Sequence, residues 1–492
     1  MTGETLVVGL AILVLLLAWH LTQRWLNKAA ARTVHRFGAR VDRFKLTRKR
    51  VIIRELLQDP AIRAAARSHA AEQRITEAAA LERVRLYLNE IIPFFNILAY
   101  YRIGYVLSRV LLNLFYKVTV HHEREDPFRS LPKDAIVLYL MNHRSNADYV
   151  LVSYALAGDV AISYAVGEWA RAFPLEYVFK TFGSYFIRRR FREPLYHAVL
   201  ERYVQLITEK GVTQGIFPEG GLTRDGTLQP AKIGLLDYVL GVARNPRCRA
   251  KMFVVPIAIN YDRVLEDRSL LRELETKAQG MKRTSRITQL YEVTRYAAWN
   301  TLRLVARRWQ RYGRAALVIG EPWPVAMLLD QLEQRGVQLF ELERSARLAH
   351  VQSLADSVMQ KIGELMPVTP VSLACAALES IPADYVEHDR LLKRMEDLRD
   401  VLVLNGAHVI RRDSDISKTF DRAYRMLRMR RIVARHGTGY LVLPKGRALI
   451  AFYANSIRHL SGTYAAGAHD ADTLPSQRLL GSEGGPGPLA RR

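Results

Sequence analysis

The chain has 492 residues, a formal net charge of +25 and two cysteines. Its length allows a sizeable core and more than one packed unit. Cys248 and Cys375 are too few for a disulfide framework or a cysteine-based zinc site, and we expect no metal. The excess of lysine and arginine favours anionic partners, but the sequence contains no nucleotide-binding, RNA-recognition or zinc-finger motif. We therefore expect phospholipid or phosphorylated substrates and no nucleic acid.

Residues 1–25 predict a single transmembrane anchor. Leu6–Leu21 is apolar except for His20, which is near the shortest length, about 17 residues, that crosses a bilayer core. A cleaved signal peptide is the alternative, but a basic leading region and a small-residue cleavage site are both missing. Residues 24–50 then carry ten lysines and arginines against one acid. By the positive-inside rule, we expect a single-pass protein of the bacterial inner (plasma) membrane, with a cytoplasmic catalytic domain against anionic phospholipid.

Residues 26–130 predict a basic, helical, membrane-proximal region. Alanine-rich turns with spaced charges indicate helix over 51–90. Residues 91–120 are rich in large apolar side chains, interrupted by Pro93 and several polar residues. This pattern is typical of an interfacial amphipathic helix and equally of a helix that packs on a core.

Residues 131–330 predict an α/β domain with a mainly parallel sheet and surrounding helices, because buried strand-like runs alternate with helical patterns. The predicted strands are 135–141, 215–217, 252–259 and 315–320, and the predicted helices are 149–157, 194–210 and 231–243. We expect a helical C-terminal region over 331–460. A disordered tail is predicted for 461–492, which is rich in glycine, alanine, proline and serine.

The first strand leads directly into the sequence NHRSNAD, which contains His143 and Asp148. Ligands of parallel sheets bind beyond the carboxyl ends of the strands, so this position favours chemistry. Histidine can take a proton from a hydroxyl near neutral pH, and a carboxylate on its other ring nitrogen would fix the tautomer. The spacing alone is a weak signal, but it makes His143 and Asp148 candidate catalytic residues.

Three further motifs follow in order: GSYFIRRR at 183–190, FPEGGLTRDG at 217–226 and VVPIAINYDRV at 254–264. Together with NHRSNAD they resemble the four blocks of the glycerolipid acyltransferase family, and the glycerol-3-phosphate acyltransferase branch fits best, over roughly 85–460. The resemblance implies an O-acyltransferase of phospholipid biosynthesis. Such an enzyme transfers a fatty acyl group from acyl-CoA or acyl-carrier protein to the sn-1 hydroxyl of glycerol-3-phosphate and gives lysophosphatidate, without a cofactor.

The resemblance also implies roles for individual residues. His143 would be the general base and Asp148 its orienting carboxylate. The acceptor's phosphate would be bound by arginines, whose planar fork suits it: Arg188, Arg189 and Arg224. The rest of the acceptor would lie against a glycine-rich turn: Glu219, Gly220, Gly221 and Thr223. Pro256 and Ile257 would form part of the wall for the acyl chain.

Two departures leave alternatives open. Leu222 stands where this branch usually has arginine, so an acyltransferase acting on lysophosphatidate or dihydroxyacetone phosphate is a second hypothesis. Ala454 stands where related sequences tend to carry arginine, and we assign no role there. A hypothesis of another class is a non-catalytic basic membrane adaptor, which explains the charge but not the four ordered blocks.

Overall fold

The computed structural model describes residues 42–96, 99–124, 131–132, 134–157, 160–171, 175–189, 191–278, 311–412 and 414–462. The predicted anchor at 1–25 and residues 463–492 of the predicted tail lie outside these ranges. None of the helices within them is long and apolar enough to span a bilayer.

Eight strands of the described chain form the main sheet. They are β1 Lys117–His122, β2 Ile136–Met141, β3 Ser163–Gly167, β4 Tyr185–Ile187, β5 Gln214–Ile216, β6 Met252–Tyr261, β7 Arg314–Ile319 and β8 Trp323–Pro324. Their order is β1-β7-β6-β2-β5-β3-β4, with β8 paired to β6. All neighbours from β6 to β4 are parallel, β1 is parallel to β7, and β7 and β8 run antiparallel to β6. The prediction of a mainly parallel α/β sheet is confirmed.

The central strands are apolar throughout because both of their faces are covered. Every residue of Ile136–Met141 is buried, and alternate side chains enter different cores. Val137, Tyr139 and Met141 pack with the C-terminal region. Ile136, Leu138 and Leu140 pack with the N-terminal helices and the long helix 344–364. Such continuous runs indicate a sheet buried between two layers.

Helices cover both faces of the sheet. They are α1 Lys49–Gln58, α2 Pro60–Gln73, α3 Glu77–Ile91, α4 Tyr105–Phe115, α5 Asp148–Ala155, α6 Leu175–Thr181, α7 Pro194–Glu209, α8 Gly234–Leu240, α9 Pro246–Arg249, α10 Asp267–Ala278, α11 Val325–Gln334, α12 Arg344–Glu364, α13 Pro370–Glu379, α14 His388–Leu404, α15 Ile416–Met429 and α16 Arg447–Ala454. Shorter helical turns are Arg43–Leu46, Ala99–Gly104, Glu168–Arg171, Gly241–Arg244, Pro444–Gly446 and Arg458–Leu460.

Three boundaries differ from the sequence-based expectation. The predicted helix over 51–90 is three helices, since Pro60 starts a new one under the cap of Asp59 and Arg74 ends it with a positive φ. Strand β1 lies within the predicted helical region 26–130, and it belongs to the sheet because it pairs with β7 over its whole length. The predicted helical region 331–460 also contains a small antiparallel sheet, with strands β9 Tyr385–Glu387, β10 Val433–His436 and β11 Gly439–Val442.

Candidate active site

The four parallel strands β2 to β5 bring the sequence motifs to one edge of the sheet. Their carboxyl ends lie together because neighbours in this part of the sheet are parallel. His143 follows β2, Arg188 follows β4, and Phe217 follows β5. Motifs separated by more than 70 residues in sequence are thereby placed side by side.

His143 and Asp148 form a buried hydrogen-bonded pair. Nδ1 of His143 lies 2.9 Å from Oδ2 of Asp148, and their side chains are 2% and 0% exposed. Asp148 begins helix α5, so the loop between β2 and α5 folds the carboxylate back onto the ring. The ring of Phe217 stacks on the imidazole at 4.1 Å, and Tyr149 meets it edge-on at 5.5 Å. No described residue hydrogen-bonds Nε2, which is therefore the ring atom that can accept a proton.

The carboxylate of Asp148 is held at both oxygens. Oδ2 also accepts hydrogen bonds from the backbone N–H groups of Arg144 and Ser145, at 2.8 and 3.0 Å. Oδ1 accepts a 2.6 Å hydrogen bond from the hydroxyl of Tyr261, at the end of β6. Hydrogen bonds of this kind stabilise an ionised carboxylate, which in turn favours hydrogen on Nδ1 of His143.

The turn after β5 holds the backbone of His143 from both sides. Oε1 of Glu219 accepts the N–H of His143 at 2.6 Å, and Oε2 accepts the N–H of Gln229 at 3.0 Å. The N–H of Thr223 donates to the carbonyl oxygen of His143 at 3.2 Å. Burial raises the pKa of Glu219 to about 7, although the two backbone donors act in the opposite direction. Both oxygens of Glu219 thus contact this chain's own backbone, and its predicted contact with an acceptor stays a prediction.

A second carboxylate, Glu266, holds the loop between His143 and Asp148. Oε2 of Glu266 accepts the hydroxyl of Ser145 at 2.7 Å, and Oε1 accepts both the backbone and side-chain amides of Asn146, at 3.2 and 3.1 Å. Burial raises the pKa of Glu266 above its ordinary value. The loop between His143 and Asp148 is therefore anchored through Ser145 and Asn146.

The two predicted phosphate-binding arginines of β4 have different surroundings. The guanidinium of Arg188 makes a two-pronged ion pair with Glu90 of α3 and lies over the ring of Phe191 at 4.8 Å. The guanidinium of Arg189 is exposed and reaches the turn after β5, where it donates to the carbonyl oxygen of Gly220. Only Arg189 of this pair is directed toward the glycine turn beside His143.

A second cation, Lys232, lies beside Gly220 in the same turn. The φ of Gly220 is +67°, and a side chain here would meet Lys232, whose Nζ lies 3.2 Å from the position of a Cβ atom. Gly221 has only the Arg189 guanidinium within 4 Å of that position, at 3.8 Å. The glycines thus leave room for Arg189 and Lys232 on either side of the turn. The third predicted arginine, Arg224, is exposed and pairs with Glu273 at 3.2 Å.

The other predicted residues are buried near the pair. The hydroxyl of Thr223 accepts the N–H of Gly226 at 3.1 Å and donates to Asp225, so it shapes the turn itself. Ile257 packs in the same core as the two rings that flank His143. Pro256 pairs with Leu140 in the buried centre of the sheet. Their predicted roles toward acceptor and acyl chain stay predictions.

The C-terminal region packs directly on this site. Gly226 has φ +87°, and a Cβ atom there would lie 1.9 Å from the carbonyl oxygen of Phe452. The amide of Asn455 donates to the carbonyl oxygen of Asp225 at 2.8 Å. The buried guanidinium of Arg144, next to His143, lies over the ring of Phe452 at 5.2 Å. The turn that holds His143 is therefore supported by residues more than 200 positions away.

Three residues that support the pair were not predicted: Arg144, Tyr261 and Glu266. Arg144 lies within NHRSNAD, Tyr261 lies within VVPIAINYDRV, and Glu266 follows that second motif by two residues. A strand periodicity cannot reveal which motif residue hydrogen-bonds another motif, because that depends on how two distant strands are paired.

Two family models match the chain. One, described as acyltransferase, covers residues 118–260, and the other, described as glycerol-3-phosphate acyltransferase C-terminal region, covers residues 298–468. These two matches support the glycerol-3-phosphate acyltransferase branch of the glycerolipid acyltransferase family, which the sequence motifs resemble. The first match contains the His143–Asp148 pair, and the second contains the C-terminal helices that pack on this site.

Curated proteins named glycerol-3-phosphate acyltransferase align with most of this chain. Glycerol-3-phosphate acyltransferase of Ectopseudomonas mendocina is 28% identical over 425 residues, which is 84% of this chain and 49% of the relative. The enzyme of that name from Aeromonas hydrophila is 27% identical over 85% of this chain and 50% of its own length. The chain thus spans about half the length of the curated relatives it matches. A solved structure of 1-acyl-sn-glycerophosphate acyltransferase from Thermotoga maritima aligns with 53% of this chain and 78% of its own length, at 18% identity and a TM-score of 0.29.

Proposed function

We propose that this chain is a glycerol-3-phosphate 1-O-acyltransferase, which transfers a fatty acyl group from a thioester donor to the sn-1 hydroxyl and yields lysophosphatidate. The observation that carries the proposal is the buried His143–Asp148 pair, bonded through Nδ1 so that Nε2 is left to act as the base. The names of the curated relatives support the same activity. A non-catalytic adaptor would not need an ordered base of this kind.

In the proposed reaction His143 takes one proton from the acceptor hydroxyl and later gives it to the leaving thiolate. Nε2 of His143 takes the proton of the acceptor hydroxyl as its oxygen attacks the thioester carbonyl, and Asp148 stabilises the imidazolium that forms. The tetrahedral intermediate collapses as its carbon–sulfur bond breaks, and the leaving thiolate takes the proton from His143. Burial of the pair limits the access of water, which disfavours hydrolysis of the thioester.

The acceptor's phosphate is proposed to bind beside the glycine turn, between Arg189 and Lys232. Both side chains are exposed and flank Gly220, and no acidic side chain of the described chain forms an ion pair with either of them. Arg188 already has Glu90 as its carboxylate partner. Lys232 would supply the positive charge that Leu222 does not, so glycerol-3-phosphate remains the preferred acceptor.

An acyl-transfer assay with separate acceptors tests this assignment. Membranes that carry the chain are offered labelled glycerol-3-phosphate, dihydroxyacetone phosphate or lysophosphatidate with palmitoyl-CoA. We expect incorporation from glycerol-3-phosphate above the other two. Incorporation only from lysophosphatidate or dihydroxyacetone phosphate would move the chain to a sister activity with the same chemistry, and no incorporation from any acceptor or donor would refute the proposal.

We also propose attachment to the inner face of a bacterial plasma membrane through an anchor at 1–25. The surface of helix α4 supports a membrane partner, since Val106, Leu107 and Val110 are 53%, 50% and 58% exposed. Exposed apolar side chains that share one face of a helix are typical of an interfacial contact. Replacing these three by serine should weaken sedimentation with phosphatidylglycerol vesicles in protein that lacks 1–25. Unchanged sedimentation would exclude α4 from the contact.

A further inference from the structure

A second basic site lies at the other end of the same sheet edge. A cavity of about 510 Å³ is lined by the first residues of β1 and β7 and by residues of helix α15. Its lining includes five cations: Lys117, Arg311, Arg314, Arg422 and Arg425. Asp262 is the one acidic residue among the lining residues. A cavity of this size can hold a ligand of nucleotide dimensions.

The fold places these cations together without neutralising them. Lys117 and Arg314 are directly paired across β1 and β7, an arrangement that costs free energy between like charges. Arg422 and Arg425, three residues apart on α15, lie on the helix face that lines the cavity. Within the described residues none of the five side chains forms an ion pair, although the carboxylate of Asp262 lies beside Arg314 and attracts its charge.

Asp262 offsets only one of these five positive charges, and backbone N–H groups hold its carboxylate in place. Oδ2 accepts the N–H of Arg314 at 2.7 Å, and Oδ1 accepts the N–H of Val371 at 3.0 Å. Asp262 is buried, and it joins the start of β7 to helix α13. Five cations against one carboxylate leave the cavity with a net positive charge, which favours a ligand with several negative charges.

The position of the cavity relates it to the catalytic pair. Asp262 directly follows Tyr261, whose hydroxyl contacts Asp148. Along the sheet, the order β2-β6-β7-β1 separates His143 from the cavity by at most three strand spacings, roughly 14 Å. Arg189 and Lys232, the cations proposed for the acceptor, lie on the opposite side of β2, after β4 and near β5. Two separate basic sites thus flank the base.

We propose that this cavity binds the phosphate groups of the acyl donor, in the form of the nucleotide end of an acyl-CoA. The inference rests on the proposed function, which requires a thioester donor at His143. A coenzyme A thioester carries three phosphate groups at the far end of an extended pantetheine arm, which matches a cluster of five cations set apart from the base. Arginine forks suit phosphate oxygens and remain charged at any physiological pH.

The test compares two pairs of substitutions on one helix. Arg422→Gln with Arg425→Gln removes two cations from the cavity. Lys418→Gln with Arg428→Gln removes two cations from α15 that do not line it, and serves as the matched control. Each variant of the 492-residue chain is titrated in detergent with adenosine 3′,5′-bisphosphate. Its acyl transfer is then measured with palmitoyl-CoA and with S-palmitoyl-pantetheine, which lacks the nucleotide.

The cavity variant should bind the bisphosphate at least about tenfold more weakly than the control. Its KM for palmitoyl-CoA should rise by a similar factor, while transfer from S-palmitoyl-pantetheine should match the control. Equal bisphosphate affinity in both variants would overturn the inference. Equal impairment with both donors, together with loss of binding to phosphatidylglycerol vesicles, would overturn it in favour of a lipid headgroup. The bisphosphate titration needs no turnover, so it is scored independently of whether acyl transfer is detected.

Discussion

The hydroxyl of Tyr261 donates a 2.6 Å hydrogen bond to Oδ1 of Asp148, and both side chains are fully buried. This contact joins the fourth sequence motif to the first, since β6 and β2 are neighbours in the sheet. The motif that the family resemblance assigns to an acyl-chain wall therefore also supports the carboxylate of Asp148.

Tyr261→Phe should lower kcat for acyl transfer by about tenfold, because a buried carboxylate oxygen loses its donor. KM for both substrates should change little, since Tyr261 is a positioning residue that contacts Asp148. Tyr116→Phe is the matched control: Tyr116 is also buried and donates to the carbonyl oxygen of Arg263 at 2.8 Å. Equal losses of kcat in the two variants would contradict a specific role for Tyr261.

Stability should depend on pH through Glu219. Its pKa is raised from 4.5 to about 7, mainly by burial, so the folded state binds this proton more tightly than the unfolded state. The protonated carboxyl of Glu219 therefore stabilises the folded state fully below the pKa that Glu219 has in the unfolded chain. This stabilisation is lost as the pH rises through about 7. Relative to Glu219→Gln, which cannot titrate, the wild type should lose roughly 3 kcal/mol of unfolding free energy across this window. Thermal unfolding at a series of pH values measures it, and parallel pH profiles would contradict the raised pKa.

Arg189 and Arg188 should differ in their effect on the acceptor. Arg189→Gln should raise KM for glycerol-3-phosphate roughly tenfold, because one charge-assisted contact to its phosphate is lost. Arg188→Gln should leave that KM near wild type and lower the thermal midpoint instead, since Arg188 pairs with Glu90. Steady-state kinetics with varied acceptor separates them, and the reverse pattern would assign the phosphate to Arg188.

Gly226→Ala should disturb the packing of the C-terminal region against the turn that holds His143. The new methyl group would overlap the carbonyl of Phe452, in addition to the strain of φ +87°. We expect a loss of roughly 3 kcal/mol in stability and a fall in activity. Gly336→Ala is the control, because its φ is +78° but nothing lies within 4 Å of the added atom. It should lose only about 1 kcal/mol, and equal losses would show that backbone strain alone is responsible.

The central strands were predictable from sequence because burial on both faces leaves a continuous apolar run, as in 135–141 and 252–259. Strands β3 and β4 were missed. Ser163–Gly167 and Tyr185–Ile187 are short, and the polar and basic residues around them interrupt the apolar signal. The antiparallel direction of β7 was also not predictable, since an apolar run has no direction.

The contact between His143 and Asp148 was predictable because the two residues lie five positions apart and follow a strand. Glu219 and Thr223 were identified by motif, but their hydrogen bonds to the backbone of His143 depend on the pairing of β2 with β5. The basic cavity depends on even more distant contacts, since its cations come from β1, β7 and α15. Residues that are far apart in sequence carry no local pattern that would associate them.

The most direct test of the account is acyl transfer from palmitoyl-CoA to glycerol-3-phosphate by wild type, His143→Ala and, as a control, His436→Ala at an exposed strand end. Loss of the general base should lower the rate of His143→Ala by roughly 10²–10⁴-fold, while His436→Ala should match the wild type. A His143→Ala protein that is folded and retains near-wild-type turnover would contradict the assignment of His143 as the base.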